Sequence, residues 1–386
     1  MAFLISASLT EEQTRFRQFL KDEVLPFLSS WNRSGRIPKE FFRKMGKGGW
    51  YGFGVRAGRL EKHSVLREAL LSEALAAVSP GMAISALAHI DLGFMGLFMF
   101  GPEDLKQRYG PAVVSGEKIM CLGNTENIAG SDVAGIGMSA GRVSGGWRLD
   151  GTKAFVTNGA IADLAVVTAV TDPDADRNRR ISMFLVDLGA SGIRRKKLNK
   201  AVWIPSDLTR LQFSGVFVPD DHLLGRRGYG LRQVLEVFTR SRIPISALTL
   251  GTAAGAFELA LTHGLKRRAF GERIVDFQAK AFEIAEHAAR IEAARLMVYK
   301  ACQTADSGED FRSDAAMAKY VTVDMARKVT AWSADLFGAA SVIADHPIHQ
   351  YPLDAWASSL GEGTQDVQKL IIYREVLKKI SPDPLV

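Results

Sequence analysis

The sequence predicts a mostly helical α+β protein. It reads as an N-terminal helical domain over residues 1–117, a middle antiparallel β-barrel domain over 118–228, and a C-terminal four-helix bundle over 229–386. Three observations predict this order. Apolar residues recur at helical spacing up to Gly101-Pro102. From Lys118, short apolar or alternating segments are separated by glycine- and aspartate-rich turns. From about Gly230 the helical period returns and persists to the end of the chain.

The elements follow in order. Thr10 with Gln13 forms a capping-box pattern ahead of Phe16, Phe19, Leu20, Val24 and Phe27 at helical spacing. Pro38 before Lys39-Glu40-Phe41-Phe42 suits a helix start. Residues 65–78 and 82–100 are apolar and alanine-rich, broken by Pro80-Gly81, and their length predicts buried helices. A short polar helix is expected over 103–110. Strands are expected at Arg148–Asp150, Ala154–Thr157, Ala165–Val170, Ser182–Val186 and Leu211–Val218, with hairpin turns at Gly145-Gly146 and Asp150-Gly151. Residues 231–264, 275–306, 312–340 and 364–380 predict four long helices. In the second of these, Ile284, Ala288, Ile291, Ala294, Met297 and Ala301 make a buried stripe.

Composition narrows the function. The 386 residues carry 47% hydrophobic and 24% charged side chains, ordinary values for a folded protein. No uninterrupted apolar run approaches the ~20 residues of a membrane helix, so no membrane association is expected. Met-Ala-Phe-Leu-Ile lacks a basic leader, which argues against a signal peptide. Cys121 and Cys302 are far apart and outside any ligand spacing, so a reducing cytoplasm is the expected setting. The net charge of +7 comes without dense basic runs, which disfavours nucleic acid. A phosphate-bearing small molecule or an acidic carrier protein suits that charge, as does simple solubility. His346 and His349 flank Pro347, which argues against a helix face carrying two metal ligands, and no metal is expected.

Three patches carry the chemistry. The first is Thr125-Glu126-Asn127-Ile128-Ala129-Gly130-Ser131-Asp132 with Lys153-Ala154-Phe155-Val156-Thr157-Asn158-Gly159. The second is Arg267-Arg268-Ala269-Phe270-Gly271 with Phe277-Gln278. The third is Asp354-Ala355 with Glu362-Gly363-Thr364. Taken singly, they also read as β-turns, a solvated helix end and a helix N-cap region. Together, in this order and over nearly the whole chain, they resemble the acyl-CoA dehydrogenase family.

That resemblance implies FAD and the dehydrogenation of an acyl thioester. It implies that Thr125 and Thr157 bond the flavin ring edge, Phe155 packs on the ring, and Ser131 bonds the pyrophosphate. Arg267, Phe270 and Gln278 match the segment that reaches the flavin of a neighbouring subunit, which implies a homodimer or homotetramer. Glu362 matches the base that removes the α-proton. Its flanking glycines let the backbone turn tightly and aim the carboxylate into a cleft. Gly363 and Arg242 match residues along the substrate, and Thr364 matches a contact to the cofactor's phosphate or ribose. Some family members carry the base near the position of Ser241, where Thr239-Arg240-Ser241-Arg242 offers no carboxylate. An electron-transferring flavoprotein is the implied electron acceptor.

The chain departs from the family pattern at several places. Asn127-Ile128 replaces Pro-Gly, Asp335 and Gly338-Ala339 replace Gln and Gly-Gly, Leu353 replaces Arg, and Gly361 replaces an aromatic. A proline- and glycine-rich stretch is shortened to Val55–Arg59. These departures and the positive charge raise an acyl-carrier-protein thioester beside acyl-CoA as the substrate. A flavin oxidase or oxygenase, or a non-catalytic flavin- or thioester-binding protein, are the alternative functions on the same fold.

Overall fold

A computed structural model describes residues 5–379. The opening Met1–Leu4 and the last residue of the expected helix 364–380 lie outside the described residues. The N-terminal helices are α1 (Ala7–Glu23), α2 (Leu25–Ser34) and α3 (Lys39–Lys47). The N-cap of α1 is Ser6, whose side chain accepts from the Leu9 N–H, so the capping-box expectation at Thr10 is corrected. Thr10 instead bonds back to the Ser6 carbonyl from inside the helix. The shortened Val55–Arg59 stretch is a hairpin of β1 (Phe53–Arg56) and β2 (Arg59–Lys62), with Ala57 and Gly58 both at positive φ.

Next come α4 (Val65–Val78) and α5 (Pro80–Leu87). A π-helical turn over Ala88–Phe94 leads into α6 (Met95–Phe100), and α7 (Glu103–Val114) follows. α4 is buried along nearly its whole length. Its first amides are met by Asp306 from the far end of the chain, which accepts from Val65 N at 2.6 Å and Leu66 N at 3.1 Å. A carboxylate there also suits the positive end of the helix dipole.

The middle strands are β3 (Met120–Gly123), β4 (Ser139–Val143), β5 (Gly146–Thr157), β6 (Leu164–Val170), β7 (Ile181–Asp187), β8 (Ile193–Lys197), β9 (Leu208–Pro219) and β10 (Leu223–Leu224). Their order is β10-β7-β6-β4-β5-β9-β8, with β3 parallel to β6. β4 meets β6 through one parallel bridge, Ser139 opposite Val170. The sheet is therefore mixed and its pairing path does not close, which corrects the antiparallel barrel expected from the turn spacing. Asp150-Gly151 is not a turn but part of a register shift inside the single strand β5. A second shift between Lys153 and Val156 re-aims Phe155.

The C-terminal part is α8 (Gly230–Lys266), a small hairpin of β11 (Arg268–Ala269) and β12 (Glu272–Arg273), then α9 (Gln278–Asp306), α10 (Arg312–Phe337), α11 (Gln350–Ala357) and α12 (Gln365–Lys379). The four long helices are those expected. The stripe on α9 is corrected: Ala288 is exposed, and the buried face is His287, Ile291, Ala294, Val298, Ala301 and Cys302. α4 shares the bundle's core through Val65, Leu66, Ala69 and Leu70. Pro80–Phe100 and Gly230–Lys266 are long and apolar enough to cross a membrane, contrary to the reading from apolar runs; most of each is buried inside the fold.

α4 and α8 cross at glycine. A Cβ at Gly251 would stand 2.1 Å from the Glu73 carbonyl oxygen, and one at Gly255 2.1 Å from that of Ala77. Both obstacles are backbone and cannot swing aside. Gly251→Ala is expected to destabilise the protein by about 1–3 kcal/mol, measured by denaturant unfolding.

Candidate active site

Backbone strain marks the site. Among the described residues, six non-glycine residues have positive φ, and four of them, Phe155, Asn158, Phe270 and Glu362, lie in the three sequence patches. Such conformations cost of order 1–3 kcal/mol each and persist where the surroundings over-determine them.

The first patch is held together by buried charge. Lys153 Nζ donates to Glu126 Oε1 at 2.7 Å and to the Asn124 carbonyl at 3.0 Å. Glu126 also accepts from Gly137 N at 2.8 Å and Met138 N at 3.0 Å. Burial pushes the Lys153 ammonium down to about 8, against the pull of Glu126. The Thr125 carbonyl accepts from Ala154 N at 2.8 Å, which sets Thr125 beside the Phe155 bulge. Phe155 is thereby turned outward, 58% exposed, with Thr157 half-buried two residues on. Ser131 lies exposed at the end of the same loop. Asn158 is fully buried and bonds Ser85, its amide donating to the Ser85 carbonyl at 2.8 Å. This joins the end of β5 to α5, one turn before the π-helical segment.

Glu362 stands on the turn between α11 and α12. Its φ is 49°, in the left-handed region, and the side chain is buried with Oε2 unpartnered. Burial raises its carboxyl pKa, opposed by Lys319 on α10 and Arg242 on α8. Arg242 is itself buried; Nη1 donates to Thr239 Oγ1 at 3.0 Å, and Nε has no partner. Burial brings Arg242 down to about 10, with Glu362 pulling the other way. Asp91, on the π-helical turn, also feels the Glu362 charge, and its carboxyl is pushed well up, chiefly by burial. Among the described residues, the Glu362 N–H donates to no protein acceptor.

The carbonyls around Glu362 point the other way. Lys319 Nζ donates to the Gly361 carbonyl and, at 2.5 Å, to the Gly363 carbonyl. Gln368 Nε2 donates to Gly363 O at 2.8 Å and Glu362 O at 3.2 Å. Thr364 is the helix cap: its Oγ1 accepts from Val367 N at 3.4 Å. The N-cap reading of this segment therefore belongs to Thr364, while Glu362 is turned inward.

The second patch is elsewhere. Arg267 caps the far end of α8, 25 residues from Arg242, which at the helical rise is about 37 Å away. Phe270 projects from the β11–β12 hairpin with 99% of its surface exposed, and Gln278 opens α9, also exposed. The structure thus brings Thr125, Phe155 and Thr157 together, and Glu362, Arg242 and Gly363 together. It leaves Arg267, Phe270 and Gln278 apart on the outside. Asp335 is exposed near that outer end.

Sequence reasoning missed Lys319, Gln368 and the Glu126–Lys153 pair. Lys319 had a readable signal, a lone lysine after Ala315-Ala316-Met317-Ala318 on an apolar helix.

The unpartnered Glu362 Oε2 and Arg242 Nε leave buried polar atoms that a bound group could meet, and the outward-turned Phe155 offers a bare aromatic face. Comparison with known proteins decides the matter. The acyl-CoA dehydrogenase N-terminal, middle and C-terminal domain families match residues 8–117, 121–216 and 228–377. An acyl-CoA dehydrogenase of Bacillus subtilis is 31% identical over 379 residues, 96% of this chain and 99% of that protein. The chain belongs to the acyl-CoA dehydrogenase family. It is a flavin oxidoreductase acting on CH–CH bonds, and its cofactor is FAD. The structure of butyryl-CoA dehydrogenase from Megasphaera elsdenii superposes with a TM-score of 0.92 at 30% identity, covering 98% of this chain and all of that one. PigA with FAD and proline superposes at 0.91 and 28% identity, over 97% of this chain and 99% of that one.

A second buried acid couples the halves of the dehydrogenase. Asp354 Oδ1 accepts from Trp203 N at 2.5 Å and Gln350 Nε2 at 2.8 Å. Burial raises its pKa to about 7. The folded protein therefore holds this proton more tightly than the unfolded chain, and stability falls as pH rises from about 4 through 7. Asp354→Asn keeps the acceptor oxygen and removes the titration. Its melting temperature is expected to fall less between pH 5 and pH 8 than that of the wild type, read by calorimetry.

Proposed function

We propose that this dehydrogenase oxidises the α,β-bond of an acyl thioester, with Glu362 as the base. The observation that carries the reading is the buried, unpartnered Glu362 carboxylate on a left-handed turn. An α-proton next to a thioester is a poor acid, and its removal takes a desolvated, positioned base and a donor for the developing oxyanion. Desolvation strengthens Glu362 for this task. The free Glu362 N–H is the donor for the thioester oxygen, and Gly363 allows close approach of the substrate. The α-proton ends on Glu362 and a Cα–Cβ double bond forms. Bound FAD supplies the acceptor, at N5, for the β-hydride.

The other roles follow the family resemblance. Thr125 and Thr157 bond the ring edge, Phe155 packs on it, Ser131 meets the pyrophosphate, and Thr364 lies toward the cofactor's phosphate or ribose. Arg242 lines the substrate side opposite Glu362. Arg267, Phe270 and Gln278 serve the flavin of a neighbouring subunit, because the length of α8 keeps them from their own. The enzyme is accordingly a homodimer or homotetramer, with domains over 1–117, 118–228 and 229–386. An electron-transferring flavoprotein reoxidises it. Two buried free thiols suit the cytoplasm.

Acyl-CoA is the first substrate class. The net charge of +7 and the exposed Ile128 beside Ser131 favour a second, an acyl group on an acidic carrier protein. Matched CoA and carrier thioesters separate the two; equal or better rates on CoA sink the carrier reading.

Anaerobic addition of acyl thioesters to the yellow holoenzyme is expected to bleach the flavin. Glu362→Gln should bind FAD normally and bleach at least a thousandfold more slowly. Colour without bleaching would favour an oxidase or oxygenase, and no FAD uptake a binding protein. Phe270→Ala with Arg267→Ala should purify with reduced FAD content, read from the visible absorbance per chain.

A further inference from the structure

We infer that Lys319 is a positioning residue of the dehydrogenation site: its ammonium clamps the Gly361 and Gly363 carbonyls on either side of Glu362, holding the base in its left-handed turn. The inference rests on Glu362 being the base.

Three observations carry it. Lys319 is fully buried on α10, among alanines and Thr322, where an ammonium costs several kcal/mol unless bonded. It does not close an ion pair with Glu362; among the described residues, both of its hydrogen bonds go to the carbonyls of the flanking glycines. Gln368, also fully buried, adds donors to the Glu362 and Gly363 carbonyls. Three successive carbonyls are thus drawn to one side of the turn. Peptide planarity then directs the amides away from the clamp, and the carboxylate's Oε2 has no partner.

A lysine paired directly with Glu362 would hold the carboxylate in an ion pair and blunt it as a base. Held on the carbonyls, the same charge reaches the carboxylate only through the field. Glu362 faces Lys319 from α10, Arg242 from α8 and Asp91 from the π-helical turn. The two cations oppose the burial that favours the protonated carboxyl, and Asp91 acts against them. Lys319 therefore has two separable effects: the clamp fixes the backbone, and the charge sets the pH at which the base becomes ready.

Two variants separate them. Lys319→Gln keeps a neutral donor, and Lys319→Met keeps neither donor nor charge. The measurement is the anaerobic bleaching rate per bound flavin at saturating acyl thioester, from pH 5 to 9. Both variants should move the acid limb upward by about one pH unit, because a lost cation favours the protonated carboxyl. Lys319→Met should also lower the plateau at least tenfold, and Lys319→Gln by less. If Lys319→Met does not fold, the limb of Lys319→Gln decides alone. A merely structural lysine would lower stability or flavin content while leaving plateau and limb at wild-type values per flavin, and that result overturns the inference. Wild type that fails to bleach sinks the reading of Glu362 itself; wild type that bleaches beside unchanged variants sinks only Lys319.

Discussion

One constraint governs this molecule: a carboxylate is kept out of water and free of any direct bond, with cations near enough to offset part of the cost of its charge. Burial favours the protonated form of Glu362. A direct ion pair would keep it charged but occupied. Two cations held at a remove, Arg242 by its own helix and Lys319 by two carbonyls, oppose burial without occupying the carboxylate. The left-handed turn completes the arrangement, because it turns the side chain inward while its carbonyls face the clamp. Two helices, α8 and α10, and the α11–α12 turn meet at that point. The glycines where α4 crosses α8 follow from how closely these helices pack.

The sheet contributes rigidity of another kind. Its strained bulge turns an aromatic outward, and a buried Glu126–Lys153 pair holds the neighbouring loop. The chain thus builds two half-sites, one strand-borne and one helix-borne, joined through Asn158–Ser85 and Trp203–Asp354. α8 has two ends in different surroundings. Arg242 belongs to the buried end, and Arg267 to an outer end crowned by a bare phenylalanine.

Much of this was legible in the sequence because it is periodic or punctuated. The four long C-terminal helices, the buried 65–78 helix and most strands follow from apolar spacing. Glu362 between two glycines announced a tight turn. Features set by tertiary contact were not legible. β5 reads as two strands because its bulges interrupt the alternation at Gly151 and Phe155. The sheet was read as a closed antiparallel barrel because turn spacing carries no information on which strands pair. α9 buries His287 rather than Ala288 because the imidazole packs against Trp332 on α10, a tertiary contact that helical spacing does not show. Lys319 was passed over because a lysine on an apolar helix ordinarily marks the solvent face, and only the fold shows it meeting a turn forty residues away.

The central claim is that Glu362 exchanges a proton with the carbon next to the thioester. Hydrogen–deuterium exchange tests it without any redox step. The holoenzyme is incubated in deuterated buffer with a thioester whose β-position is a sulfur, so that no hydride can leave, and α-deuterium is followed by mass spectrometry. Exchange by the wild type, lost in Glu362→Gln at equal ligand occupancy, is the predicted result. Exchange that survives the substitution, or that the wild type never shows while binding the ligand, would contradict the account.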